Sequence, residues 1–237
     1  MNNKNQFVYM IFIKLLIIFI VSSCDNNEPP DKVFVAAEIE TVNGDTQASI
    51  GIFTNPLNMN SGISGALVTV NDTPLVPFFL PGWYTAVLQS PVDGSGTVDI
   101  TIEFTDAERD GSIVTASEQM PAVPTITSPV QNSNHDTNEE ITLEWNTVVP
   151  NPDSIQVSVD PLYTLLEEEY YGSLLPGDAI KDDIPPDILE PGNTVWTIDL
   201  NVSSINSSTI SGDIIENGSM IEVKNTGQVG IYTNSVE

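Results

Sequence analysis

The sequence is poor in the residue types that most often bind metals, form cross-links or perform nucleophilic catalysis. Its 237 residues include a single cysteine, Cys24, and a single histidine, His135. One thiol cannot form an internal disulfide, and one histidine with one cysteine is too few for a zinc site. His135 lies in the polar stretch 132–136, and no nucleophile-elbow pattern surrounds a serine, so we interpret His135 as a solvent-exposed loop residue.

Positive charge is also scarce. The chain has 6 Lys and Arg against 33 Asp and Glu, a formal net charge of −27 at pH 7. Binding to a phosphate backbone requires a Lys/Arg footprint that this sequence lacks, so we expect no nucleic-acid partner. The same imbalance argues against electrostatic adsorption to anionic lipid. Solubility and mutual repulsion at a crowded surface explain the acidity better than a specific cation-binding role.

Acidic residues are too abundant to mark a site by themselves. With 33 carboxylates, a pair at the separation used by glycosidases is expected by chance. One stretch, 106–111, has Asp106, Glu108 and Asp110 at alternate positions before a glycine, as in the first half of a calcium-binding loop. An arginine lies among these acids, and a serine occupies the position of the bidentate glutamate. We therefore favour a solvated hairpin turn over a metal site, and we expect no cofactor.

The first 23 residues have the pattern of an export signal. Lys4 supplies the positive charge, residues 7–21 form an apolar run that only Lys14 interrupts, and two small serines follow at 22–23. As a membrane-spanning helix this segment is short against the about 20 residues required, and it would hold Lys14 in the bilayer at a cost of about 2.5 kcal/mol or more. We expect the segment to be removed. A secretory peptide followed by an incidental cysteine is the main alternative to an anchor.

The closing residues Val21, Ser22, Ser23 and Cys24 resemble the bacterial lipoprotein signal, in which an aliphatic residue and two small ones precede a cysteine. The resemblance implies cleavage before Cys24, a thioether-linked diacylglycerol and an acylated (palmitate-type) amino terminus. Two or more acyl chains give a stable membrane anchor. The protein would then be a cell-envelope lipoprotein, which we expect at the outer membrane, facing the periplasm or the cell surface. The lone cysteine would also be explained.

The mature chain divides into a tether and two predicted domains. It keeps 4 of the basic residues and all 33 acidic ones, a formal net charge of −29. Residues 24–32 are polar and Pro-rich, which is typical of a flexible tether. Short alternating apolar runs, separated by Gly, Pro, Asn and Asp, predict an all-β protein with two tandem antiparallel β-sandwiches, at 33–122 and 123–237.

In the first domain the predicted core positions fall into six runs. They are Val33, Val35, Ala37 and Ile39; Ala48, Ile50 and Ile52 after the turn 43–45; Ala66, Val68 and Val70; Tyr84, Ala86 and Leu88; Val98, Ile100, Ile102 and Phe104; and 113–116. The stretches 63–70 and 80–86 resemble transthyretin-like and immunoglobulin-like extracytoplasmic modules. With 116–124 behind them, they are similar to the amino-terminal domain of uncharacterised bacterial lipoproteins that often accompany TonB-dependent receptors. That resemblance implies an accessory role in an uptake complex.

In the second domain the apolar phase passes through Ile141, Leu143 and Trp145, then Ile155, Val157 and Val159, then Trp196, Ile198, Leu200 and Val202. The stretches 124–129 and 141–146 resemble the opening of a fibronectin type III domain, and 189–194 its turn into a later strand. The match departs at Val195, where that fold carries a tyrosine. Residues 161–175 fit a short helix or an edge strand, and 225–227 predicts the turn of a terminal hairpin between 220–224 and 228–232.

Exposed aromatic side chains are the predicted ligand contacts. Trp145 and Trp196 lie on the apolar phase of their strands, so we assign both to the core. Trp83 alternates with Tyr84 and is predicted to face outward, and one of Tyr170 and Tyr171 should also be exposed. We therefore expect no enzyme but a binding or assembly role, with an unknown envelope protein or polysaccharide as partner. The alternative is a carbohydrate-binding or adhesive surface module.

Overall fold

The computed structural model describes residues 32–58, 61–88, 96–107, 109–161, 171–186 and 196–234, with the backbone alone at 160, 161, 196 and 234. The signal segment, Cys24, Glu108 and Tyr170 lie outside these residues, as does the stretch 189–195. In the described part there are sixteen strands and no α-helix. The predicted all-β sandwich class is confirmed.

The strands follow the predicted alternation closely. In the amino-terminal half they are β1 Phe34–Val42, β2 Asp45–Phe53, β3 Ala66–Val70, β4 Thr73–Pro74, β5 Val76–Pro77, β6 Trp83–Leu88, β7 Thr97–Phe104 and β8 Ile113–Gln119. In the carboxyl-terminal half they are β9 Ile126–Ser128, β10 Asn134–Asp136, β11 Ile141–Trp145, β12 Ser154–Pro161, β13 Gly172–Pro176, β14 Lys181–Ile184, β15 Trp196–Thr209 and β16 Met220–Asn234. Of the segment predicted as helix or edge strand, the described part is the edge strand β13.

Three sheets are built from these strands. One large sheet has the order β13-β12-β15-β16-β1-β2-β6-β5, and β10 also pairs with β16. Two smaller sheets, β4-β3-β7-β8 and β14-β11-β9, complete the set. Most neighbours are antiparallel, but β1 and β10 pair with β16 in parallel. Each small sheet packs against a different part of the large one, which gives two cores.

The first core lies between the β4-β3-β7-β8 sheet and the middle of the large sheet. All six runs predicted for this half contribute to it, because alternate strand residues share a face. The turn between β1 and β2 has positive φ at Asn43 (52°) and Gly44 (85°), as a tight hairpin requires. The core also includes Ile210, Ile215, Ile221 and Val223 from the far end of the chain.

The second core lies between the β14-β11-β9 sheet and the other part of the large sheet. The predicted apolar runs of β11 and β12 meet there with Ile198, Leu200 and Val202 of β15. Trp145, 3% exposed, donates its indole N–H to the Ala179 carbonyl at 2.9 Å. Val229 and Ile231 of β16 complete this core. The predicted assignment of Trp145 to the core is therefore confirmed.

The carboxyl-terminal hairpin β15–β16 belongs to both cores. Its two strands pair without interruption from Trp196↔Thr233 to Thr209↔Met220. The predicted turn at 225–227 is wrong, because these residues lie in the middle of β16 and pair with Ser204, Ser203 and Val202. The division at 122/123 stays a prediction. In the structure, one hairpin supplies apolar side chains to both halves of the molecule.

The link between the two halves is held against the middle of this hairpin. Side chains on β15 and β16 donate to three successive parts of the link: Asn206 Nδ2 to the Gln119 carbonyl at 2.8 Å, Asn225 Nδ2 to the Pro121 carbonyl at 3.0 Å, and Ser204 Oγ to the Ala122 carbonyl at 2.6 Å. The Pro121 and Ala122 carbonyls, which lie outside the strands, thereby gain hydrogen-bond donors. These contacts give a structural role to Ser204, Asn206 and Asn225 in the middle of the hairpin.

Candidate functional site

The weak metal candidate at 106–111 forms a charged turn between β7 and β8. Asp106 Oδ1 accepts from Arg109 at 3.0 Å from the guanidinium and 3.2 Å from the backbone N–H. The Arg109 side chain is 5% exposed, so the turn is less solvated than predicted. Among the described residues, no group of three His, Cys, Asp or Glu is placed to hold a metal ion. The acid that a calcium ion would need first is already paired with a cation.

Calcium is therefore expected to change the melting temperature little. A site filled a hundredfold above its Kd would add about 2.7 kcal/mol, or roughly 5 °C or more for a chain of this size. Differential scanning calorimetry with calcium and then with a chelator measures the difference. If calcium raised the melting temperature by that much and Asp106→Asn abolished the rise, this expectation would be contradicted.

Trp83, the first predicted ligand contact, is buried. It lies on the sheet face opposite Tyr84, as the alternation predicts, but it is 3% exposed, so its predicted exposure is wrong. Its ring meets that of Phe53 edge to face, with centroids 5.4 Å apart. That face carries a second apolar strip, formed by Phe34, Ala36, Phe53 and Trp83, with Phe78 and Leu80 packed against it. Trp83 therefore presents no flat ring for stacking.

Tyr171, the described member of the predicted tyrosine pair, is half-buried beside the second core. Its hydroxyl donates to Asp182 Oδ2 at 2.7 Å, and Ser173 Oγ donates to the same oxygen. Burial, followed by the bond to Asp182, raises the pKa of Tyr171 above its ordinary value. Because β13 and β14 belong to different sheets, this network ties two sheet edges together. The ring is partly available to a ligand, but its hydroxyl is engaged.

His135 differs from its predicted position in an exposed loop. It lies in the short strand β10, which pairs with β16, and it is half-buried. Its Nε2 is 2.8 Å from Ser133 Oγ, and burial lowers its pKa. Within the part of the chain that the structure describes, no carboxylate hydrogen-bonds the other ring nitrogen, so the third member of a Ser/His/Asp arrangement is missing there.

A buried charge cluster lies on the large sheet, opposite the first core. Lys224 Nζ is 2.7 Å from Glu38 Oε1 and 2.6 Å from Glu222 Oε1. Burial by itself lowers the pKa of Lys224, but the carboxylates of Glu38, Glu222 and Glu40 outweigh it, so the net pKa is raised. The cluster joins β1 to β16. Sequence reasoning missed it because its members come from opposite ends of the chain.

An apolar end of the first sandwich was also missed. Loops 54–58 and 77–82 lie side by side where β1 begins, since Phe34 pairs with Phe53 and the Ile52 N–H donates to the Gly82 carbonyl at 2.8 Å. We call these two loops the apolar end. Leu57 in the first loop is 62% exposed and Phe79 in the second is 79% exposed. The sequence does contain one indication of this uncharged region: between Asp45 and Asp93 there is one charged residue, Asp72.

The fold defines the class: an all-β protein of packed sandwiches. No family model matches the chain. No curated protein matches it either. In the described residues there is no helix of the length and hydropathy that a membrane crossing needs.

Among solved structures, the chain is similar to the FN1–FN3 domains of chicken CNTN1, with 15% identity over 85% of this chain and 63% of that one, and a TM-score of 0.32. It is also similar to the fibronectin(III)-like modules of Clostridium thermocellum CbhA (11% identity, 86% and 94% coverage, TM-score 0.29). A third match is to immunoglobulin domains 1–4 of Sidekick-1 (11%, 90% and 51%, TM-score 0.23). The three matched structures consist of fibronectin type III and immunoglobulin domains.

Proposed function

We propose that the protein is a lipid-anchored module of the cell envelope with a binding or assembly role and no catalytic activity. The observation that best supports this is the continuous β15–β16 hairpin. The described chain begins at one end of the large sheet, where Val33 bridges to Ile215 near the hairpin tip. The strands of the second core lie further along the same hairpin. A protein held by its amino terminus would thus present the second sandwich away from the membrane.

The ion pairs and hydrogen bonds of four acidic side chains support a non-catalytic role. The carboxylates of Glu38 and Glu222 are bound to Lys224, Asp106 to Arg109, and Asp182 to Tyr171. Each of these contacts joins strands or closes a turn. A general acid must donate a proton to the substrate and a general base must accept one from it, so either needs a titratable group that faces substrate, and these groups are turned toward the protein itself.

The proposed partner is another component of the envelope. The sequence resemblance to lipoproteins that accompany TonB-dependent receptors favours an accessory of an outer-membrane uptake complex. The alternative is an adhesive or carbohydrate-binding module, for which an exposed aromatic platform would be the expected feature. Burial of Trp83 weakens that alternative, and Tyr171, the described member of the tyrosine pair, is half-buried.

Replacement of Cys24 tests the anchor. In Cys24→Ala we expect loss of metabolic labelling by an alkyne fatty acid and loss of retention in the membrane fraction, because the sulfur is the proposed attachment point. Asp25→Asn in the same expression host, which keeps the cysteine, is the control for processing and should still label. A Cys24→Ala protein that was processed at the same bond and stayed membrane-bound would overturn the anchor.

Affinity purification of the lipidated protein from its own envelope tests the partner. Recovery of an outer-membrane receptor in stoichiometric amount would support the accessory role. Recovery of polysaccharide, removable by competing free glycan, would support the alternative instead.

A further inference from the structure

The described chain enters the fold between the hairpin tip and the apolar end, with Val33 bridged to Ile215 on the side of the tip. Phe34 is the first residue of β1 and pairs with Phe53, which is the last residue of β2 and directly precedes the loop 54–58. Eight residues separate Cys24 from Val33, and an extended chain spans at most about 3.6 Å per residue. An acyl chain on Cys24 would therefore hold the apolar end within about 30 Å of the bilayer surface.

The apolar end is one of the uncharged parts of the surface. Neither of its loops contains a charged residue, and each exposes one large apolar side chain, Leu57 or Phe79. Beside it, Val76 of the edge strand β5 is 63% exposed. Because these loops carry no charge in a mature chain with 33 acidic residues, an anionic surface repels them less than it repels the acidic parts of the chain.

The acids at the same end of the sheet set the direction of approach. Asp213 is exposed and Glu216 half-buried in the hairpin tip, on the β16 side of β1. The apolar loops lie on the other side, next to β2, β6 and β5. Contact with a membrane would therefore tilt the sandwich onto its β6–β5 edge and keep the hairpin tip in water.

We propose that the apolar end docks onto the lipid bilayer beside the acyl anchor, with Leu57 and Phe79 inserted at the level of the lipid head groups. The inference rests on the proposed lipid anchor and adds an orientation to it. Large apolar and aromatic side chains suit this interfacial position. The occupant is the membrane surface, and the docked protein stands with its second sandwich pointing outward.

Site-specific fluorescence on the lipidated, full-length protein tests the proposal. Because Cys24 would be acylated, Phe79→Cys or Leu57→Cys introduces a unique free thiol at an exposed position, where the fold should tolerate the change. Val130→Cys is the matched control, because Val130 is 69% exposed and lies away from the apolar end. Two residues further along the chain, the Asn132 N–H donates to the Gly230 carbonyl, and Gly230 lies ten residues along β16 from Met220. Each thiol is labelled with an environment-sensitive dye, and the protein is placed in vesicles that contain nitroxide-labelled lipid.

We expect several-fold stronger quenching and a blue-shifted emission for labels at 57 and 79 than for the label at 130. Equal, weak quenching at all three positions on protein that stays with the vesicles would overturn the docking and leave the anchor intact. Loss of the protein from the vesicles would overturn the anchor and the docking together. A blue shift at 79 that depends on the protein-to-lipid ratio, without lipid quenching, would assign this surface to a second copy of the chain and overturn membrane docking.

Discussion

Replacing Lys224 with methionine is expected to destabilise the protein by about 3 to 5 kcal/mol, the range found when one partner of a buried ion pair is removed. The Lys224 and Glu38 side chains are each 4% exposed. Without the ammonium group, three neighbouring carboxylates would be left to repel one another in a site that water hardly reaches. For a chain of this length, the melting temperature should fall by roughly 6 to 20 °C.

Lys181→Met is the matched control for this change. It removes the same charge from the exposed edge strand β14, where ion pairs contribute little, so we expect a change below about 1 kcal/mol. Adding Glu38→Gln to Lys224→Met should recover part of the loss, because one of the stranded charges is then gone. Urea denaturation of the four proteins measures all these differences. A Lys224→Met protein as stable as the Lys181→Met control would show that the cluster does not hold β1 to β16.

The pH dependence of the folding stability gives an independent check, because the raised pKa of Lys224 sets the direction of the effect. The folded pKa of Lys224 is raised, so the stability it contributes is fully present below the unfolded lysine value of about 10.4 and is lost as pH rises through the folded value. The wild type should therefore lose this contribution only in strongly alkaline solution. The stability difference between wild type and Lys224→Met should therefore shrink in strongly alkaline solution. A difference that did not shrink there would contradict this account.

The sequence predicts the features of this fold that depend on neighbouring residues better than those that depend on residues far apart in the chain. Alternation within a strand is local, and it assigned the core faces of β1, β2 and β7 correctly. It also placed Trp83 opposite Tyr84. Its exposure was mispredicted because alternation says which residues share a face and says nothing about whether other residues pack against that face. Phe34 and Phe53 supply the neighbours that bury it.

Nothing in the local sequence of a strand indicates which distant strand it pairs with. The parallel ladder from Ala36↔Met220 to Val42↔Thr226 joins the two ends of the described chain, and the Lys224 cluster exists because of it. The burial of Arg109 depends in the same way on tertiary packing. The apolar end was foreseeable in part, because the lack of charge around Phe79 is visible in the sequence, although its position beside the start of β1 is not.

The mispredicted turn at 225–227 shows how one sequence pattern serves two structures. Asn, Thr and Gly together favour a turn, and each is used differently in β16. Asn225 donates to the Pro121 carbonyl, and the Thr226 hydroxyl is 2.8 Å from that of Ser203. At Gly227 the link between the two halves lies directly against β16. A methyl group on Gly227 would lie 2.1 Å from the Pro124 carbonyl oxygen and 3.2 Å from its carbon.

Gly227→Ala is therefore expected to destabilise the protein by about 2 to 3 kcal/mol, because the obstructing atoms are backbone and cannot turn aside as a side chain would. The control is Gly172→Ala in the edge strand β13, where an added methyl group meets nothing within 4 Å. That change should be neutral or stabilising by about 0.4 to 1 kcal/mol, since it reduces the freedom of the unfolded chain.

Chemical denaturation followed by tryptophan fluorescence measures both variants, and the location of the effect is as informative as its size. Trp83 reports on the first half and Trp145 on the second, each read in a protein whose other two tryptophans are replaced by phenylalanine, and β16 contributes to both cores. If Gly227 is the point where the link crosses the hairpin, the loss in Gly227→Ala should appear as a common shift of both signals. A stability equal to that of Gly172→Ala would mean that the link can move away from β16. A shift confined to one tryptophan would mean that the two cores unfold separately in spite of the strands they share.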